Sequence, residues 1–364
     1  MNGDASFSRA ATVTVADPVT DPLTGAVRDA VAPVAVSVGA PVAAAELGQS
    51  AARVEALDLA RFIMALVVVG AHGRLFVDLS YPLYFFTFVG GWARIIIPLF
   101  LMMSGFFFAV QIRRGVGAWA KRLVLLHLVW SAVYIGCWMP LGSFSFAKAG
   151  FWIFFGAGHL WFMPALIGGG LMLARLRGLP AGWLLALAGA LYLTGGVVQY
   201  ALDVLVDFET VKHHNALYAL PRNFLFYGFP FMALGYLMQE EAVRDWLGRV
   251  SRWPVVLGLV ALLMLENWVK YVGFAHDAVF EVAVMNFALA PVIFAWLLRL
   301  KGVRAAPWMA PMSAAIYFVH ALVLLVLEQV AGLTPSLLTL VAVVICLPVG
   351  WVLVKANNRP LPLV

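Results

Sequence analysis

Residues Ala60 to Arg74 read ARFIMALVVVGAHGR, one arginine and one histidine in an otherwise apolar run. From Arg61 to His72 the chain takes eleven steps, which at 100° each return it to within about 20° of the starting azimuth with a rise of roughly 16 Å. On a helix the two polar side chains therefore share a face, about half a bilayer core apart. An ionisable group inside a membrane is costly to hold there, so its first reading is functional. The competing reading is that Arg61 snorkels to the interface and His72 is a wetted helix end.

The remainder of the chain supplies the membrane. Its 364 residues are 63% hydrophobic and 12% charged, with a mean hydropathy of +0.94. Soluble domains are about 25% charged. The apolar runs are continuous over about 20 residues rather than alternating, which excludes a transmembrane barrel. The pattern predicts an all-α polytopic bundle of about ten spans, near 57–77, 83–111, 120–139, 159–177, 182–203, 222–239, 253–273, 281–299, 308–331 and 335–355. Pro98 predicts a kink or re-entrant segment in the second span.

Basic residues gather in alternate loops: Arg113, Arg114, Lys121 and Arg122; Arg175 and Arg177; Arg244, Arg249 and Arg252; Arg299, Lys301 and Arg304; Lys355 and Arg359. By the positive-inside rule both termini are then cytoplasmic. The net charge of +6 is read as topology, with no nucleic-acid partner. Residues 1–52, with Pro18, Pro22, Pro33 and Pro41, are expected to form a disordered cytoplasmic tail, and 356–364 a short one. Cys137 and Cys346 both fall in predicted spans and suggest neither a disulfide nor a metal site.

Three further segments accompany the Arg61/His72 run: PLFLMMSGFFFA (Pro98 to Ala109), HLWF (His159 to Phe162) and SAAIYFVH (Ser313 to His320). Together with the basic loop RRGVGAWAKR they make residues 53–355 resemble the acyltransferase-3 family of integral membrane O-acyltransferases. The resemblance implies a bacterial inner-membrane enzyme that acylates extracytoplasmic carbohydrate. No soluble hydrolase domain follows the tenth span, so the expected branch is the stand-alone one, of the xanthan and acetan exopolysaccharide type. It implies acetyl-CoA as donor and, as acceptor, a lipid-linked oligosaccharide or nascent polysaccharide. Polysaccharide synthesis or export machinery is the implied partner, and no metal is expected.

The chemistry assigns roles within that resemblance. Acyl transfer to a sugar hydroxyl needs a base, and His72 is the candidate. Arg61 would shape the donor site, while Arg113, Arg114, Lys121 and Arg122 would meet nucleotide phosphates. Arg94, His159, Tyr317 and His320 are weaker cavity candidates, each with a structural reading beside it. Ser104 is either a nucleophile or, with Gly105, a packing notch. Glu266 and Lys270, spaced i,i+4, are expected to pair within one helix. The loop over 204–221, with Asp207, Glu209, Lys212, His213 and His214, reads as solvated or glycan-contacting, and Trp138, Trp152, Trp161 and Trp268 as interfacial or sugar-stacking. Two other classes fit the same composition, a transporter or flippase and a non-catalytic synthase subunit.

Overall fold

The computed structural model describes residues 54–113, 115–138, 144–206, 217–273 and 281–357. Every described residue belongs to one compact unit, within Ala43–Val364. The expected N-terminal tail lies outside the described residues, as does 358–364. Among the described residues twelve main helices follow in order: α1 (Glu55–His72), α2 (Tyr81–Phe106, with a short extension Phe108–Gln111), α3 (Val116–Trp138), α4 (Phe146–Phe155), α5 (Gly158–Leu176), α6 (Ala181–Leu205), α7 (Phe224–Leu237), α8 (Glu241–Val250), α9 (Trp253–Gly273), α10 (Met285–Arg299), α11 (Met309–Val330) and α12 (Pro335–Ala356). Among the described residues there are no strands.

Seven of these, α2, α3, α5, α6, α9, α11 and α12, are long and apolar enough to cross a membrane. The protein is an all-helical polytopic membrane protein. The other three expected spans correspond to α1, α7 and α10, which are shorter or more polar. Two helices fall outside the predicted spans: α4, in a stretch read as loop, and the amphipathic α8.

Two boundaries differ from the hydropathy reading. The first helix stops at His72 rather than near 77, because Arg74 and Phe76 take positive φ values of 58° and 77°. The end is pinned from α12, where the Thr339 hydroxyl donates to the Gly73 carbonyl at 2.7 Å. The irregularity in α2 lies at Gly90 and Gly91, between a π-turn (Phe85–Val89) and a 3-10 turn (Trp92–Ile95), and not at Pro98. Pro98 is the third residue of the restarted helix Ile96–Phe106, where a backbone N–H has no intrahelical acceptor to lose. At Gly91 a side chain would overlap the Phe86 carbonyl, so the break requires glycine there.

Lipid tails are as apolar as the helices, so close packing rather than water exclusion holds the bundle. One close seam joins α2 and α7. A Cβ on Gly105 would collide with the Met232 carbonyl, and one on Gly235 with the Met102 carbonyl. The small-residue notch expected at Gly105 is therefore a reciprocal backbone-to-backbone contact. Around this seam Met102, Phe229, Phe231, Met232 and Phe294 form one apolar cluster. A second cluster gathers Val69, Trp130, Tyr134, Ile316, Phe318 and Cys346. Helix α1 serves both, Leu57 and Met64 facing the first and Ala65 and Val69 the second.

Candidate active site

A cavity of about 570 Å³ opens where the clusters meet, with Leu123 and Phe162 packed against both and lining it. Arg61, Gln111 and Arg122 provide polar groups in its wall, and Ser104, Ser313 and Tyr317 line it as well. Arg61 is held rather than free. Its Nε lies 3.2 Å from Met103 Sδ and its guanidinium sits over the Phe107 ring at 5.2 Å. Asp58, one turn earlier on α1, interacts with it electrostatically. Gln111 accepts from the Trp119 indole at 3.1 Å, which ties the end of α2's extension to the start of α3. The Ser104 hydroxyl donates to Phe100 O at 3.0 Å.

Next to this cavity the fold assembles three histidines from three helices. The ring of His72, at the end of α1, lies 5.0 Å from that of His320 on α11 and 6.0 Å from that of His159 at the start of α5. His159 and His320 are 4.7 Å apart. Both are buried, whereas His72 is exposed. His159 is boxed by the rings of Tyr134 at 4.8 Å, Trp138 at 6.2 Å and Tyr317 at 5.3 Å. The Tyr317 hydroxyl donates to His159 O at 3.0 Å, so the cavity wall and the histidine cluster share a residue. Among the described residues no group of His, Cys, Asp or Glu is arranged to hold a metal ion.

A charged cluster not anticipated as a unit lies within electrostatic reach of His72. Glu281, leading into α10, takes Arg94 Nη1 at 3.3 Å on one oxygen and Arg222 Nη1 at 3.0 Å on the other. Arg94 Nε also donates at 2.5 Å to Val89 O, at the break in α2. Arg222 lies over the Trp161 and Tyr218 rings at 5.4 and 5.6 Å. Gln199 of α6 fixes the backbone beneath, accepting from Glu281 N and Val282 N at 2.9 and 2.6 Å and donating to Val282 O at 2.8 Å. Two guanidiniums on one carboxylate leave a net positive charge.

The remaining expectations resolve differently. Arg113 and Lys121 are exposed and do not line the cavity, while Arg122 does. Arg114 and the polar stretch with Asp207, Glu209, Lys212, His213 and His214 lie outside the described residues. Glu266 and Lys270, one turn apart, attract each other electrostatically, and each also has a partner on another element. Glu266 accepts from Val284 N and Met285 N at 2.6 and 2.9 Å, at the start of α10. Lys270 reaches Asp203 of α6 at 3.4 Å. Each is thus tied across the bundle as well. His127 on α3 meets Ile153 O at 2.7 Å. Cys137 and Cys346 are both free.

A membrane bundle with a cavity among its helices, cations in the cavity wall and imidazoles beside it defines a class: an integral membrane protein with a polar site inside its helix bundle. The chain belongs to the acyltransferase-3 family, whose model, described as an acyltransferase domain, matches residues 54–355. It is thus a membrane acyltransferase. Neither a curated protein nor a solved structure matches the chain.

Proposed function

We propose that the protein is an O-acetyltransferase of a bacterial inner membrane, moving acetyl from cytosolic acetyl-CoA to a sugar hydroxyl of an exported or lipid-linked polysaccharide unit. In this reading the bundle crosses the membrane ten times and both termini face the cytosol, in line with the alternation of basic loops. The observation that carries the reading is the 570 Å³ cavity, which runs between Arg122 near the start of α3 and Tyr317 beside the histidine cluster.

The donor's pantetheine arm occupies that cavity with its phosphates toward Arg122 and the neighbouring basic loop, and Arg61 contacts the arm's polar groups. The acceptor approaches the exposed face of His72, with Trp161 and Tyr218 beside Arg222 available for stacking. His72 removes the hydroxyl proton as the oxygen attacks the acyl carbon. The C–O bond forms, the C–S bond breaks, and the proton passes to the departing thiolate. The cationic Arg94–Glu281–Arg222 cluster favours the negative charge that develops on the acyl oxygen.

The test is ester-linked acetate on the host's surface polysaccharide, read by proton NMR in cells carrying wild type or His72→Ala at matched membrane levels. Loss of acetate from a polymer that is still made is the expected result. Normal acetylation removes His72 from the chemistry, and loss of the whole polymer points instead to a flippase or assembly role.

A further inference from the structure

His320 has an asymmetric environment that the acyl-transfer scheme leaves unused. Its Nδ1 lies 2.8 Å from Tyr317 O and 3.1 Å from Ile316 O. Carbonyl oxygens only accept, so Nδ1 must carry the proton. A neutral imidazole has a single N–H, which leaves Nε2 of His320 as a lone pair. That nitrogen is buried and has no hydrogen-bond partner. The helix backbone has thereby fixed one tautomer and aimed an acceptor into the histidine cluster.

Two rings can meet it. His72 lies at 5.0 Å between ring centroids, a separation from which turning its ring toward His320 makes an N–H···N bond of ~2.9 Å, one not made in this structure. His159 is as near, at 4.7 Å, but is buried within its box of aromatic rings. His72 is the exposed ring of the three, and so the one that can offer one nitrogen to a substrate and the other to His320.

We propose that His320 is the positioning residue for His72: its Nε2 accepts the His72 N–H, so that the opposite His72 nitrogen presents a lone pair to the acceptor hydroxyl. This is the role a carboxylate plays behind the base in hydrolase triads, here filled by a neutral imidazole whose own tautomer is set by two carbonyls. When His72 takes the hydroxyl proton, the shared N–H polarises toward His320, and the charge relaxes when the thiolate recovers the proton. No net proton is gained or lost. The proposal rests on the acyl-transfer reading above and adds a residue to it.

The experiment uses inside-out membrane vesicles from the producing host, fed acetyl-CoA, with CoA thiol release and glycan-bound acetate both followed. His320→Asn keeps an amide N–H near the Nδ1 position, and so the bonds to the backbone, but has nothing at Nε2. His320→Gln places its amide oxygen near Nε2 and can accept from His72. The expected result is a fall in kcat of about 10²-fold for His320→Asn, with the acetyl-CoA KM unchanged and His320→Gln within about tenfold of wild type. A structural role gives the reverse order, Asn better tolerated than Gln, and overturns the proposal. So does a wild-type rate from His320→Asn, or absence of both variants from the membrane, which would assign the residue to packing. Wild-type vesicles that release no thiol overturn the donor reading and the His320 role together.

Discussion

Replacing Glu281 with Gln removes the carboxylate from between two guanidiniums without changing its shape. At 3.0 and 3.3 Å and an effective dielectric near 20, each Arg–Glu attraction is about 5 kcal/mol gross, before desolvation is subtracted. Removing one partner of a fully buried pair costs about 3–5 kcal/mol, and an exposed pair is worth about 0–1. The side chains here are 18–25% exposed, between those limits. We expect Glu281→Gln to destabilise by about 2 kcal/mol, since the residual Arg94–Arg222 repulsion adds to the lost attraction. In detergent this lowers the thermal midpoint by about 4 °C, at ~2 °C per kcal/mol. Arg94→Gln should lower it less, and the double variant should show a coupling of about 1 kcal/mol or more. A cycle that is additive within ~0.3 kcal/mol would refute the cluster as an energetic unit.

The Lys270–Asp203 pair is more deeply buried, with side chains 1% and 0% exposed. Asp203→Asn should cost about 3–5 kcal/mol, whereas replacing both residues with leucine should restore much of it, as the thermal midpoints of the two variants would show. Outside the spans, Asp78 accepts from the Ser336 hydroxyl, and from Ser336 N at 3.1 Å, at the start of α12. The Ser336 hydroxyl is the main reason the Asp78 carboxyl is held below the usual carboxylate range. Its contribution is complete above the unfolded value of about 4 and is lost as pH falls through the lower folded value. Ser336→Ala should therefore flatten the fall in thermal midpoint below about pH 4; an unchanged pH profile would show that the contact carries no linkage.

The membrane class, most of the helices and the Arg61/His72 helix could be read from the sequence because each rests on local information, namely run length and periodicity. His159 and His320 were visible as candidates inside aromatic motifs. Their meeting with His72 was not, because ring distances between helices have no local signature. Arg222 and Glu281 escaped for the same reason, being 59 residues apart in the chain and joined only by the fold. Glu266 and Lys270 are legible only in part. The i,i+4 spacing signals their mutual attraction, but not the N–H groups at the start of α10 or the buried Asp203 that they also meet. At Pro98 the proline was the obvious breaker, yet the glycines upstream carry the break and leave the proline in a helical first turn.

The cavity divides one apolar cluster from the other, and α1 is among the few elements that serve both. A molecule lying in it touches residues of each side at once, Leu166 from one and Leu126, Met163 and Phe318 from the other. Any occupant would act as mortar between the two. Any ligand that binds only the assembled bundle raises its stability by RT ln(1 + [L]/Kd), about 2.7 kcal/mol at a hundredfold excess over Kd. Turnover would loosen and tighten this joint with every cycle, so resistance to heat or protease in the membrane becomes a direct gauge of how full the enzyme is.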